Sequence, residues 1–315
     1  QKYLKEFRDF TYVYNHPSLI KTYQVMPFRQ YIQSNAKSMV VVPIRNNSKN
    51  EDNISIGYTI KDENGTVLFN VPVNANNVKP YSAIGYYKDT TELIPPFPLM
   101  TKATSFYVET FQVITKDIKS ENDTLRYEQR FENYFAYDDG TAESAFSLKK
   151  ANSSVAVKFQ LNVQDTLSYV DIYFNPKLVD ASKLTFNLML WGDANGEPGS
   201  EIATSKLQTP DYSKKGVNNI LRYRFDAPVV LPPGVYYTGI FQPGNIPVNI
   251  GLDLNSNNQF NTFYKSGLDV WNTMPYAGTA ILRPVFGKDT IPVVSISTIS
   301  TTHDLVEIYP NPATS

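Results

Sequence analysis

The chain has 315 residues, enough for two ordinary domains, and carries 29 Lys and Arg against 30 Asp and Glu with no run of like charge. That balance leaves no basic stripe for a nucleic acid, and the absence of cysteine excludes disulfides, thiolate zinc sites and a cysteine nucleophile. The apolar runs, such as Met39 to Ile44, are too short to span a bilayer, so no transmembrane segment is expected.

With 22 Tyr and 18 Phe, more Pro than Gly and no stretch of helical period, the composition is that of an all-β protein. The only histidines are His16, near the start, and His303, in a polar tail; both read as surface residues, poorly placed for a Ser-His-Asp arrangement. HExxH and a glycine-rich phosphate loop are absent as well.

From Met26 to about Asn133 short strands recur between turn signals. "ISIGYTI" puts Ile54, Ile56, Tyr58 and Ile60 on one face, "DENG" at Asp62 to Gly65 reverses the chain, and "TVLFNVPV" returns as its partner. "TSFYVETFQVI" and "LRYEQRF" predict a second hairpin. About seven strands in about a hundred residues fit an immunoglobulin-like β-sandwich, assigned to residues 1–133 with an N-terminal extension.

A second set of strands begins near Tyr134. "SVAVKFQL" aligns Val155, Val157, Phe159 and Leu161; "LTFNLMLW" aligns Leu184, Phe186, Leu188 and Leu190; "GVYYTGIFQ" aligns Val235, Tyr237, Gly239 and Phe241; "TAILRPVFG" closes the series. Roughly eight or nine strands over about 150 residues fit a jelly-roll β-sandwich, residues 134–288. Residues 289–315 open as a Ser/Thr-rich linker and end on "VEIYPNPATS".

That ending resembles the first strand of the C-terminal sorting domain carried by cargo of the bacterial type IX secretion system, with Tyr309, Pro310, Asn311 and Pro312 as its opening tetrapeptide. "NYFAYDDGTAESAF" and the later "WGDANGEPGSEI", "GVYYTGIFQ", "NIGLDLN" and "ILRPVFG" are similar to a jelly-roll module of such secreted proteins. The resemblance covers residues from about Tyr134 to Ser315. It implies an extracellular or outer-membrane-surface location, the type IX secretion machinery as a partner, and accessory rather than catalytic modules. It also implies O-glycosylation at Asp-Thr triplets, of which four are present, with Thr90, Thr124, Thr166 and Thr290 as acceptors. The plainer reading of these triplets is that Asp-Thr begins strands after turns.

The acidic turn "YDDGTAE" gathers Asp138, Asp139 and Glu143 around Gly140, the hard oxygens a calcium ion takes; the plain alternative is an Asp-Gly turn. "GLDLNSNNQFN" adds Asp253, and its Asn255 and Asn257 suit either calcium or sugar hydroxyls. In "GDANGEPG", Asp193, Asn195 and Glu197 read as a turn. Sugar binding needs an exposed ring flanked by amides: Trp271 and Tyr276 are the candidates, while Trp191 reads as core.

Three functions follow. The first is a non-catalytic modular protein for adhesion or spacing, its partner a polysaccharide or a host or surface protein. The second is a calcium-stabilised carbohydrate-binding module of a larger secreted protein. The third is a glycosidase using paired carboxylates.

Overall fold

The computed structural model describes residues 8–12, 18–92, 97–113, 120–176, 184–212 and 218–287. It is all-β and sandwich-like, as the composition predicts; helical structure among these residues is one turn at Tyr81–Ile84 and four short 3-10 turns. No helix among them is long and apolar enough to cross a membrane.

The first half contains β1 (Phe10–Tyr12), β2 (Val25–Pro27), β3 (Met39–Asn46), β4 (Asp52–Lys61), β5 (Val67–Val78), β6 (Tyr87–Glu92), β7 (Thr104–Val113) and β8 (Thr124–Glu132). They form a five-stranded sheet in the order β2-β8-β7-β4-β5 and a three-stranded sheet β1-β3-β6. Ile54, Ile56, Tyr58 and Ile60 all lie in the core together with Phe106, Val108 and Phe131 of the larger sheet and Val42 and Ile44 of the smaller one. The predicted turn is built as its residues dictate. Asp62 Oδ1 accepts the N–H groups of Asn64 and Thr66 at 2.9 and 2.8 Å, and Gly65 takes a φ of 80° that a side chain would resist. The second predicted hairpin is β7 and β8, paired antiparallel.

The second half contains β9 (Ser144–Phe146), β10 (Ser153–Leu161), β11 (Asp165–Ile172), β12 (Asn187–Ala194), β13 (Glu197–Thr204) and β14 (Leu221–Leu231). It continues with β15 (Gly234–Gln242), β16 (Ile250–Asp253), β17 (Thr262–Lys265), β18 (Asn272–Thr273), β19 (Thr279–Ala280) and β20 (Leu282–Phe286). A six-stranded sheet, β13-β12-β15-β10-β17-β18, is accompanied by two three-stranded sheets, β14-β11-β20 and β19-β16-β9. Val155, Val157, Phe159, Leu161, Phe186, Leu188 and Leu190 enter the core as their alternation predicts. In β15 it is Tyr236 and Ile240 that join this core; Tyr237 and Phe241, from the alternation read in the sequence, belong to a separate apolar cluster on the other face of the sheet.

The halves are not beads on a string. Residues 133–136 run as a hydrogen-bonded thread between them. Ala136 N–H donates to Val25 O at 2.9 Å on one side, and Phe135 N–H donates to Pro284 O at 3.1 Å on the other. Since β2 also pairs with β8, in parallel, the large sheet of the first half continues through this thread to β20 of the second. Gln30 locks the seam from a fully buried position. Its Nε2 donates to Val163 O at 3.2 Å and to Asp165 Oδ2 at 3.0 Å. Its Oε1 accepts the N–H groups of Asn162 and Val163 at 2.8 and 3.1 Å. Tyr23 crosses the same seam, accepting the Gln160 N–H at 3.1 Å on its hydroxyl and packing at a tilt against the Tyr137 ring, centroids 4.8 Å apart. One buried apolar cluster therefore runs from Phe10 to Phe286.

Candidate functional site

The seam has an open side. A cleft of about 590 Å³ lies there, within the range of about 300–1,000 Å³ usual for small-molecule sites. One wall comes from residues 18–24, Lys37 and the β8 pair Arg126 and Tyr127; the other is Asp139 with the loop Asn255 to Asn258. A smaller hollow of about 130 Å³ is also lined by Thr22 and Tyr23, together with Asn261 of the 3-10 turn that follows the loop. Both are predominantly polar.

Behind the Asn255 wall, folding brings together most of the predicted calcium ligands. Asp253, fully buried at the end of β16, accepts the Asp139 N–H at 2.8 Å on one oxygen and the Asn255 and Ser256 N–H groups at 2.7 and 3.1 Å on the other. Burial pushes its carboxyl above the usual range, against those backbone donors that favour the ion. Asp139 and Glu143 share two donors. The Thr141 hydroxyl lies 2.6 Å from Asp139 Oδ1 and 2.8 Å from Glu143 Oε1, and Asn255 Nδ2 lies 3.1 Å from Asp139 Oδ2 and 3.3 Å from Glu143 Oε1. Leu254 N–H occupies Glu143 Oε2 at 2.9 Å. Every carboxylate oxygen here already has a protein donor, and no group of three acidic or histidine side chains among the described residues is arranged to hold a metal ion.

Asp138, the fourth residue expected around the ion, stands apart from the other three. Its side chain turns away from Asp139 into a buried ion pair with Arg283 of β20, whose Nε lies 3.1 Å from Asp138 Oδ2. The Arg283 guanidinium also lies over the Tyr134 ring, 5.3 Å from its centroid. The acidic turn is pinned to the sheet by this guanidinium. Gly140 N–H completes the turn by donating to Asp138 Oδ1 at 3.0 Å.

The aromatic candidates separate from the amides. Asn255 and Asn257 line the seam cleft, whose lining includes neither Trp271 nor Tyr276. Trp271 is half-buried, its ring edge-on to Trp191 with centroids 5.2 Å apart. It packs on the outer cluster of Ala156, Met189, Trp191, Tyr237 and Phe263. Trp191 is buried as expected, at 6% exposure, but in this outer cluster rather than between the sheets. Tyr276 is 62% exposed and touches Phe146 with one edge, the centroids 6.5 Å apart.

No family model matches the chain, and no curated protein matches it either.

The remaining candidates are structural or fall elsewhere. Asp193, Asn195 and Glu197 belong to the β12–β13 hairpin. Asn195 and Gly196 both have positive φ, and Asp193 Oδ1 accepts the Tyr237 hydroxyl at 2.7 Å. Thr124 and Thr166 sit at the starts of β8 and β11, both half-buried, and their aspartates bond inward. Asp123 Oδ1 accepts Gln112 Nε2 at 2.6 Å, and Asp165 holds Gln30 and the Thr166 N–H. Thr90 lies within β6, paired with Val41. His16, Thr290, His303, Tyr309, Pro310, Asn311 and Pro312 lie outside the described residues. Lys21, Lys37 and Arg126, which give the cleft its charge, had no signal in the sequence, because isolated cations on polar segments look like any solvated surface.

Proposed function

We propose that this chain is a non-catalytic modular protein, secreted or held at the cell surface, in which an immunoglobulin-like and a jelly-roll sandwich act as a rigid pair for adhesion or as accessory modules. The observation that supports this is the seam. Two units joined only by a tether reorient freely, whereas the thread at 133–136, the buried Gln30 and the shared core hold these two in one orientation. A fixed pair suits display of a binding surface at a distance from its anchor. Export by type IX secretion rests on the Tyr309–Pro312 tetrapeptide, and O-glycosylation on the Asp-Thr triplets.

Carbohydrate is the ligand class that the cleft favours over a protein partner. Its walls offer amides and hydroxyls suited to a polyol, and it is concave where protein interfaces are broad. The test is binding of the full chain to a panel of soluble glycans and insoluble polysaccharides, with release of reducing ends followed in parallel. Binding without release is expected. Turnover that disappears in Glu143→Gln would place the Asp139 and Glu143 pair in a glycosidase and overturn the reading.

A further inference from the structure

We propose that the seam cleft binds an anionic saccharide, with its acidic group against Lys37, Lys21 and Arg126 and its hydroxyls against Asn255, Asn257 and Asn258. This rests on the accessory-module reading and names the ligand class of its site. Three cations face the cleft and one carboxylate, Asp139, whose oxygens are already held by Thr141 and Asn255. The lining itself therefore carries an excess of cations, in a chain whose formal net charge is −1, while Glu109 and Glu143 stand behind Arg126 and Asn255.

Of the three cations, two have partners. Lys21 Nζ donates to Ser34 O at 2.7 Å, and Arg126 Nε donates to Glu109 at 3.0 Å, which leaves the other guanidinium nitrogens to reach a ligand. Lys37 is different. Its backbone N–H is used by Leu19 O at 2.9 Å, but its ammonium has no hydrogen-bond or ion-pair partner among the described residues, although the side chain is half-buried. Burial holds it below the usual lysine range. A half-buried cation without a counter-charge is costly unless a ligand supplies one.

The opposite wall has donors to spare. Asn257 Oδ1 accepts the Gly278 and Gln259 N–H groups at 3.1 and 3.3 Å, which fixes the side chain and leaves its amide N–H₂ without a protein acceptor among the described residues. The Asn258 side chain has no described partner at all, while its backbone N–H is anchored to Gly278 O at 3.2 Å. Cations facing a row of amides across a space of this size are a complement to a short sugar chain bearing acidic groups. Because the walls come from the two halves, the site exists only while the seam is closed.

Titration calorimetry of the full chain with trigalacturonate, with a sulfated heparin tetrasaccharide and with neutral cellotriose tests this. At least one anionic probe is expected to bind at least about tenfold more tightly than cellotriose, more weakly as salt rises. Preference for the carboxylated or for the sulfated probe identifies the acidic group. Lys37→Met and, independently, Asn258→Asp on the far wall are each expected to weaken the preferred probe at least about tenfold while leaving the fold intact by circular dichroism. Equal affinity for cellotriose, no heat with either anionic probe, or binding unchanged in both variants would overturn the proposal. Anionic binding lost while polysaccharide binding persists would sink the cleft but spare the accessory reading. Reducing ends released from a bound anionic probe would do the reverse.

Discussion

Gln30→Ala is the sharpest probe of the seam. The glutamine has no exposure, and its side chain makes four hydrogen bonds to residues 162–165 of the second half. A buried hydrogen bond contributes about 1 kcal/mol net, so truncation is expected to cost about 4 kcal/mol, with water in the new space recovering part of it. For a chain of this size that lowers a melting midpoint by roughly 6–12 °C. The assay follows from where the reporters lie. Trp191 and Trp271 are the only tryptophans and both belong to the second half, so fluorescence melts report that half while far-ultraviolet circular dichroism reports both. In the parent protein the two curves should coincide. In Gln30→Ala the midpoint should fall and the curves should separate, because the halves are no longer locked. Coincident curves with a shift under about 2 °C would refute the claim that Gln30 joins the two units.

The Asp138–Arg283 pair is buried, so Asp138→Ala or Arg283→Met alone should destabilise by about 3–5 kcal/mol in denaturant unfolding, whereas Asp138→Leu with Arg283→Met should recover most of it. Lys37 titrates below its unfolded value of 10.5, so the unfolded chain binds more protons between the two values and stability should rise with pH up to that point. Lys37→Met should flatten that rise and increase stability at neutral pH; a steeper profile in the variant would contradict the burial argument. Calcium must compete with Thr141 and Asn255 for Asp139 and Glu143, so millimolar calcium should move the midpoint by less than about 2 °C, and a rise beyond about 5 °C would favour the calcium reading. A Cβ at Gly239 would come within 1.9 Å of Val155 O, so Gly239→Ala should force β15 and β10 apart and strongly lower the yield of folded protein.

Much of the fold was legible because strand periodicity is local. Ile54 to Ile60 and Val155 to Leu161 each announce a buried face within one short segment, and Asn64-Gly65 announces its turn. The orientation of β15 was not legible, because Tyr236 and Ile240 are as apolar as Tyr237 and Phe241 and period alone does not say which face meets the core. The site was half legible. Asp139, Glu143, Asp253 and Asn255 were each visible as oxygen-bearing side chains, but their meeting joins positions 116 residues apart. Gln30 and Arg283 were invisible for the opposite reason: a polar side chain in a segment predicts solvent, and only its distant partners make it a core residue. Trp271 read as an open platform because nothing nearby in sequence reveals that Trp191 lies under its edge.

The seam also sets an order of events during synthesis. Gln30 leaves the ribosome 132 residues ahead of Asn162, and Tyr23 leaves 137 ahead of Gln160. At about 5–20 residues per second, the first half waits several seconds or more with these groups and its apolar flank unmatched. Over that interval the unmatched edge is open to other chains, and pairing between chains competes with closure of the seam. Slow translation between the halves would lengthen the exposure, while the arrival of β10 and β11 would end it.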